Sequence, residues 1–189
     1  PILIFESFFL KYLPNILSIS LNIWQFIKNY DLWQIILTYP AGYVGKSLYG
    51  KAPLFLTAFG DDIQKDSILK YGLRLNSNIE KCIIETLSFM DICIAITDTV
   101  KDCYLDLNVD KNKIVNIPMG VHLKRFNSSC NKNELRLKFK INDNETFILT
   151  TGRYHIKKGF EIIPIIAKSL LDRGIKFRWA VVGRGVDKL

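Results

Sequence analysis

The residues best suited to chemistry are Thr150-Thr151-Gly152-Arg153-Tyr154-His155-Ile156-Lys157-Lys158-Gly159-Phe160. An apolar run, Phe147-Ile148-Leu149, precedes them and reads as a strand. Ile162, Ile163, Ile166, Ala167, Leu170 and Leu171 follow at helical spacing. A strand, a glycine-bearing turn with two kinds of cation, and a helix start together suit a phosphate. The helix N-terminus offers N–H groups and partial positive charge. Arginine adds a planar fork matched to phosphate oxygens, and lysine adds a point charge. A surface βα-turn with solvated cations has the same composition, and the residues alone leave both readings open.

Three further stretches carry polar or glycine residues at strand ends. The segment 53–59 ends in Phe59-Gly60-Asp61-Asp62, and glycine with carboxylates at a strand's carboxyl end opens the ligand-binding edge of an α/β sheet. An ordinary turn with solvated acids is the alternative there. Tyr39-Pro40-Ala41-Gly42-Tyr43 precedes it, with Gly42 admitting close approach of backbone or ligand. Ile117-Pro118-Met119-Gly120-Val121-His122 closes another strand, where Gly120 is expected to serve a turn with positive φ. Val181-Val182-Gly183-Arg184-Gly185 ends the chain's last strand, with glycines that let backbone come near a nucleotide.

The elements that must hold these residues alternate. Strands are expected at 33–37, 53–59, 92–96, 113–117, 147–151 and 177–182. Helices are expected at 78–90 with Ser77 or Asn78 as cap, at 98–107, at 134–139 and at 160–172, with a shorter one beginning at 41–49. The helix at 160–172 finishes at Arg173-Gly174, a cation and a glycine C-cap. Alternation of this kind with nearly continuous apolar strands predicts parallel sheets covered by helices. The polar stretch 127–133 (NSSCNKN) is the one clear linker, and it divides the chain into domains 1–127 and 128–189.

Bulk composition narrows the class. The chain has 189 residues, 49% of them hydrophobic and 12% aromatic, which is ample for a core and excludes general disorder. The net charge of +8 is uneven: residues 1–122 hold 11 Lys/Arg against 12 Asp/Glu, and residues 123–189 hold 15 against 6. A basic second half suits an anionic partner such as a nucleotide diphosphate or an anionic membrane surface. No RNA-recognition signature, zinc-finger spacing or recognition helix supports nucleic acid as that partner. Cys82, Cys93, Cys103 and Cys130 form no C-x-x-C pair, which predicts a reduced, cytoplasmic protein. His122 and His155 have no ligand-like companions, so no metal site is expected. The apolar stretch 16–27 is broken by Asn22 and Gln25 and closed by Lys28. It falls short of the roughly 20 apolar residues of a span, and a core helix or a segment lying on lipid fits it better.

Taken together the motifs resemble the retaining family 4 (group 1) glycosyltransferases, enzymes of two Rossmann-like domains with the GT-B fold. Gly152-Arg153, four residues, then Lys158-Gly159 resembles their donor-diphosphate motif, which implies that Arg153 and Lys158 hold the pyrophosphate of a nucleotide-sugar. The strand ending at Gly60-Asp61-Asp62-Ile63 is similar to their His-Gly-x-Asp-Ile, with Phe59 where the family often has histidine. The segment through Pro118, Gly120 and Phe126 is similar to their i-P-N-G-V-D…F, with Met119 and His122 replacing asparagine and aspartate. Gly183 and Gly185 resemble the nucleotide-proximal v-G-x-G.

The resemblance covers roughly residues 34–189. It implies transfer of a sugar from a UDP- or GDP-sugar to a saccharide or lipid-linked acceptor, with no cofactor. Gly42, Gly60, Asp62 and Gly120 would line the cleft, with Asp62 as the one candidate catalytic group, and peripheral contact with the inner face of a membrane would be in keeping. The family's N-terminal glycine-rich loop and its pair of glutamates have no counterpart here, so both domains are expected to be incomplete and the 189-residue chain alone inactive. The loss of polar residues at 59, 119 and 122 raises the alternative of a non-catalytic, decayed nucleotide-binding paralogue.

Overall fold

The computed structural model describes residues 14–126 and 130–188, so residues 1–13, the first three residues of the expected linker (127–129) and Leu189 lie outside the described residues. The chain forms two compact units, Pro1–Gly120 and Val121–Leu189.

The first unit contains helix α1 (Pro14–Lys28), strands β1 (Trp33–Ile36) and β2 (Leu54–Ala58), helix α2 (Ser77–Ser88), strand β3 (Ile92–Ala95), helix α3 (Asp98–Asp106) and strand β4 (Ile114–Asn116). All four strands are parallel, in the order β1-β2-β3-β4, with Trp33 beside Leu54, Phe55 beside Ile92 and Cys93 beside Ile114. Helical turns at 43–48 and helices α2 and α3 supply the cover. Their Val44, Leu48, Ile83, Leu87, Val100 and Tyr104 are buried with Leu54, Leu56, Ala58, Cys93 and Ala95 from the strands. A sheet covered in this way needs apolar side chains on both faces, which is why its strands read as continuous runs. Burial pushes the Cys93 thiol up to about 12, against a smaller opposing pull from Lys113, so it stays a neutral core residue.

The helix ends follow short polar side chains. Asn76 caps α2 by accepting from the N–H groups of Asn78 and Ile79, at 3.0 and 3.2 Å, displacing the expected cap by one or two residues. Thr97 caps α3 by accepting from Val100 N–H at 3.2 Å. Helix α1 turns a partly polar face inward. Leu21 and Gln25 are buried, Gln25 accepts from Trp33 Nε1 at 2.7 Å, and Asn22 Nδ2 donates to Ser47 Oγ at 3.2 Å. Ile16, Ile19, Ile23, Phe26 and Ile27 on the opposite face are each more than half exposed. The expectation of a core helix is therefore met on only one side. Among the described residues no helix is long and apolar enough to cross a membrane.

The second unit contains helix α4 (Lys132–Lys138), strand β5 (Thr146–Thr151), helix α5 (Ile163–Asp172) and strand β6 (Phe177–Val182). The two strands pair in parallel from Thr146 beside Phe177 to Thr151 beside Val182. Helix α5 begins three residues later than the expected 160. Phe160–Ile162 form a tighter turn first, and Pro164 occupies the first turn of the helix, where its missing N–H removes no bond. Gly174, at φ 71, follows Arg173 and ends the helix as the sequence implies.

Backbones meet at the carboxyl ends of β5 and β6. A Cβ at Gly183 would lie 1.6 Å from the carbonyl oxygen of Gly152, so only glycine fits there. Gly120 differs from its expected role: its φ is not positive, and a Cβ on it would meet nothing within 4 Å. The exposed stretch around it therefore places no demand for a left-handed residue at this position.

Two consequences are measurable. Gly183→Ala should destabilise the second unit by about 1–3 kcal/mol, because the clash is with backbone and must shift a strand end. Gly120→Ala should change stability by less than about 0.5 kcal/mol. Urea unfolding of the two variants separates these outcomes, and hydrogen exchange of the β5 and β6 amides localises the first to the second unit. In the first unit, the Tyr104 hydroxyl accepts from Ala58 N–H at 3.1 Å and donates to Ile94 C=O at 3.3 Å, joining β2 to β3. Burial raises its pKa well above the ordinary phenol value, so it stays neutral and able to do both. Tyr104→Phe should cost about 1–3 kcal/mol in urea unfolding, the penalty for orphaning a buried amide.

Candidate functional site

In the second unit the two loops that follow β5 and β6 form one edge. Gly152 N–H donates to Val182 C=O at 2.9 Å, and Tyr154 N–H donates to Arg184 C=O at 2.8 Å. These bonds extend the parallel ladder past the strands and bring Gly152 and Arg153 beside Gly183 and Gly185. Phe160, 1% exposed, packs under the turn, and a Cβ on Gly152 would stand 3.6 Å from its ring. The Tyr154 and Phe160 rings lie 5.9 Å apart. Four of the sequence-derived site residues thus share a single rigid edge.

The rest of the turn is built by His155. Its Nδ1 accepts from Lys157 N–H at 3.1 Å, and its carbonyl accepts from Lys158 N–H at 2.8 Å. Gly159 then takes a left-handed conformation at φ 65 and donates to Ile156 C=O at 3.0 Å. That histidine had no assigned role in the sequence. A histidine two residues before a lysine pair, at the start of a turn, is compatible with capping, but nothing in its spacing demands it.

Hydrogen bonding here changes which groups are left for an anion. The N–H groups of Lys157, Lys158, Gly159, Ile162 and Ile163 are all engaged within the turn, and Pro164 has none. The helix start therefore offers less than the sequence suggested. The side chains of Arg153 and Lys158 are exposed and make no ion pair among the described residues. An arriving anion would meet side-chain cations on a fixed backbone.

The first unit gathers its own candidates at the carboxyl end of β2. Asp62 is 1% exposed. Its Oδ1 accepts from the N–H groups of Phe59 and Gly60, at 2.8 and 2.9 Å, and its Oδ2 accepts from Thr38 N–H at 2.9 Å. Thr38 Oγ1 donates back to the Asp62 carbonyl. The carboxylate thereby clamps the loop after β1 to the turn after β2. The Gly60 bond is local in sequence, with donor and acceptor two residues apart in a Gly-x-Asp that follows a strand. The partner Thr38 leaves no such trace.

Gly42 is buried against α2, where an added Cβ would meet Thr86 Cγ2 at 2.7 Å. Its close approach is to a helix of its own unit. Gly60 is buried at φ 139, and the Phe59 ring beside it is 39% exposed. The loop leading on to α2 is tied down by Arg74, which donates to Ile63 C=O and to Glu80, both at 3.1 Å. Hydrogen bonds from Lys65 and Arg74 hold the Glu80 carboxyl below its usual range, against a smaller opposing effect of burial. Met119 and His122 are exposed, and His122 Nδ1 accepts from Arg125 N–H at 3.3 Å. Among the described residues no group of three or more His, Cys, Asp or Glu side chains could hold a metal ion.

No family model and no curated protein matches the chain. Solved structures do match it. Sucrose-phosphate synthase from Thermosynechococcus elongatus is similar with a TM-score of 0.66 at 17% identity, over 96% of this chain and 44% of that one. HepE from Anabaena, in complex with UDP-glucose, gives 0.60 at 14% identity, over 88% and 52%. A glycosyltransferase from Rickettsia africae gives 0.55 at 15% identity, over 93% and 52%. The chain spans about half the length of the solved structures it matches. At these identities the likeness shows the fold, and the fold is α/β with parallel sheets of the Rossmann-like, GT-B kind.

Proposed function

We propose that this chain belongs to a glycosyltransferase that moves a sugar from a nucleotide-sugar to an acceptor. In this reading residues 128–189 open the donor domain and residues 1–127 belong to the acceptor side. The observation that carries it is the pair Arg153 and Lys158, exposed and without ion-pair partners among the described residues, on a turn whose backbone is fixed at the carboxyl edge of a parallel sheet. Ligands of open α/β sheets bind at that edge. HepE, one of the similar structures, was solved with UDP-glucose, which supports a nucleotide-sugar as the donor class.

The chemistry follows from charge. As the bond between the sugar and the diphosphate breaks, negative charge grows on the departing oxygens. Arg153 can meet two of them with its fork, and Lys158 can meet another as a point charge. Cations fixed before the reaction need no reorganisation when that charge appears. Asp62 acts in this scheme as a positioning residue that holds the Phe59-Gly60 turn. A retaining outcome and a saccharide or lipid-linked acceptor belong to the proposal through the family resemblance. Peripheral membrane contact does so too.

A second reading, a paralogue that binds nucleotide without turning it over, is favoured by Phe59, Met119 and His122. All three present exposed side chains at positions where the family carries a different, polar residue. Sugar transfer by the full-length protein decides between the two.

Calorimetric titration of the full-length protein with UDP and GDP tests the donor site. One of them should bind with a micromolar Kd. Arg153→Ala and Lys158→Ala should each weaken it about 10–100-fold, the cost of one or two charge-assisted hydrogen bonds. Absence of binding by either diphosphate, or unchanged affinity in both variants, would overturn the reading.

A further inference from the structure

The turn after β6 places a second arginine, and a third cation, on the same edge. Its backbone is held from both sides: Gly183 sits against the Gly152 carbonyl, and Arg184 C=O accepts from Tyr154 N–H at 2.8 Å. Gly185, at φ 77, then turns the chain so that a Cβ on it would lie 3.5 Å from Tyr154 Cβ. Arg184 is thereby locked beside residues 152–154, next in space to Arg153 though 31 positions away in sequence. Its side chain is exposed and forms no ion pair among the described residues, although Asp187 and Glu161 lie on the same two loops.

We infer that Arg184 is a third phosphate-binding cation of this edge, engaging the same diphosphate as Arg153 and Lys158. The inference rests on the donor-site reading above and extends it to a residue that the G-x-G pattern leaves unspecified. A diphosphate presents two phosphoryl groups. Arg153 and Lys158 approach from the loop after β5, whereas Arg184 approaches from the neighbouring loop, so the two loops can grip the ligand from adjacent strands. Arginine suits that position better than lysine, because its fork can hold two oxygens at once from a backbone that cannot move toward them.

The test compares nucleoside diphosphates with monophosphates on the full-length protein. Wild type, Arg153→Ala, Arg184→Ala and Arg184→Lys are titrated with UDP, GDP, UMP and GMP at about 0.15 and about 0.5 M salt, the second of which screens charges beyond a few ångströms. Arg184→Ala should weaken the preferred diphosphate about tenfold at both salt concentrations and the matching monophosphate less than about twofold. Arg184→Lys should fall between wild type and alanine.

If Arg153→Ala abolishes binding while Arg184→Ala matches wild type, the role of Arg184 is overturned and the donor site stands. A loss that disappears at the higher salt, or that is equal for mono- and diphosphate, overturns it as well, since either would reflect a distant field. If wild type binds no diphosphate, the donor-site reading falls and takes the inference with it.

Discussion

Every described strand in this protein pairs in parallel, and that constraint organises the rest. Parallel strands send their carboxyl ends to one edge of their sheet, so the loops that leave them must share that edge. The ladder stops there, and the backbone groups beyond it still need partners. In the first unit several of these partners are side chains, beside backbone bonds such as Leu37 N–H to Thr57 C=O: Tyr104 serves Ala58, and Asp62 serves Phe59, Gly60 and Thr38. In the second unit they are other backbone groups, with Val182 and Arg184 accepting from Gly152 and Tyr154. The two solutions have different consequences. The first uses up a carboxylate, and the second leaves the Arg153 and Arg184 side chains without an ion pair among the described residues.

This difference explains which features the sequence could convey. Apolar runs such as Leu54-Phe55-Leu56 and Ile92-Cys93-Ile94 reveal buried strands directly, because burial on both faces leaves room for little else. The Gly152-Arg153 and Lys158-Gly159 spacing, and the Gly183-Arg184-Gly185 turn, could be placed at strand ends for the same reason. Asp62 reads as an available carboxylate until Thr38, 24 residues earlier, is seen donating to it. Gly120 reads as a turn glycine by analogy, yet its backbone needs no special conformation. Helix α5 looks longer from its apolar spacing than it is. Isoleucines at 162 and 163 continue the pattern across a tighter turn that only hydrogen bonding distinguishes. Helix α1 shows the converse limit. Periodicity finds its apolar stripe, but does not say that Asn22 and Gln25 face the body of the unit while the isoleucines face outward.

The second unit achieves a defined edge with little core. Among its described residues only Ile141 and Phe160 are buried apolar side chains, against the many of the first unit. Its loops are shaped instead by contacts that a side chain would destroy, the Gly183–Gly152 backbone approach above all. Glycine is the residue that allows two backbones to touch, and the entropy it costs in the unfolded chain is offset by bonds that only such closeness permits.

Net charge alone would not have identified the site. Several cations of the basic second unit are committed elsewhere: Arg178 pairs with Glu145 at 3.4 Å, and Arg136 donates to the Glu145 carbonyl at 2.9 Å and lies 3.8 Å from Asp143. Others, such as Lys168 on α5, stand on open helix surface, where a long side chain loses its freedom on binding and gains little. Arg153, Lys158 and Arg184 differ from both groups. Among the described residues their side chains form no ion pair, and their backbone is held in place. Gly152 and Tyr154, on either side of Arg153, bond across to Val182 and Arg184, and Lys158 N–H donates to His155 C=O within its own loop. An anion binding there would order only side chains, because the backbone is already in place, and that lower entropic cost separates a built binding edge from a merely basic surface.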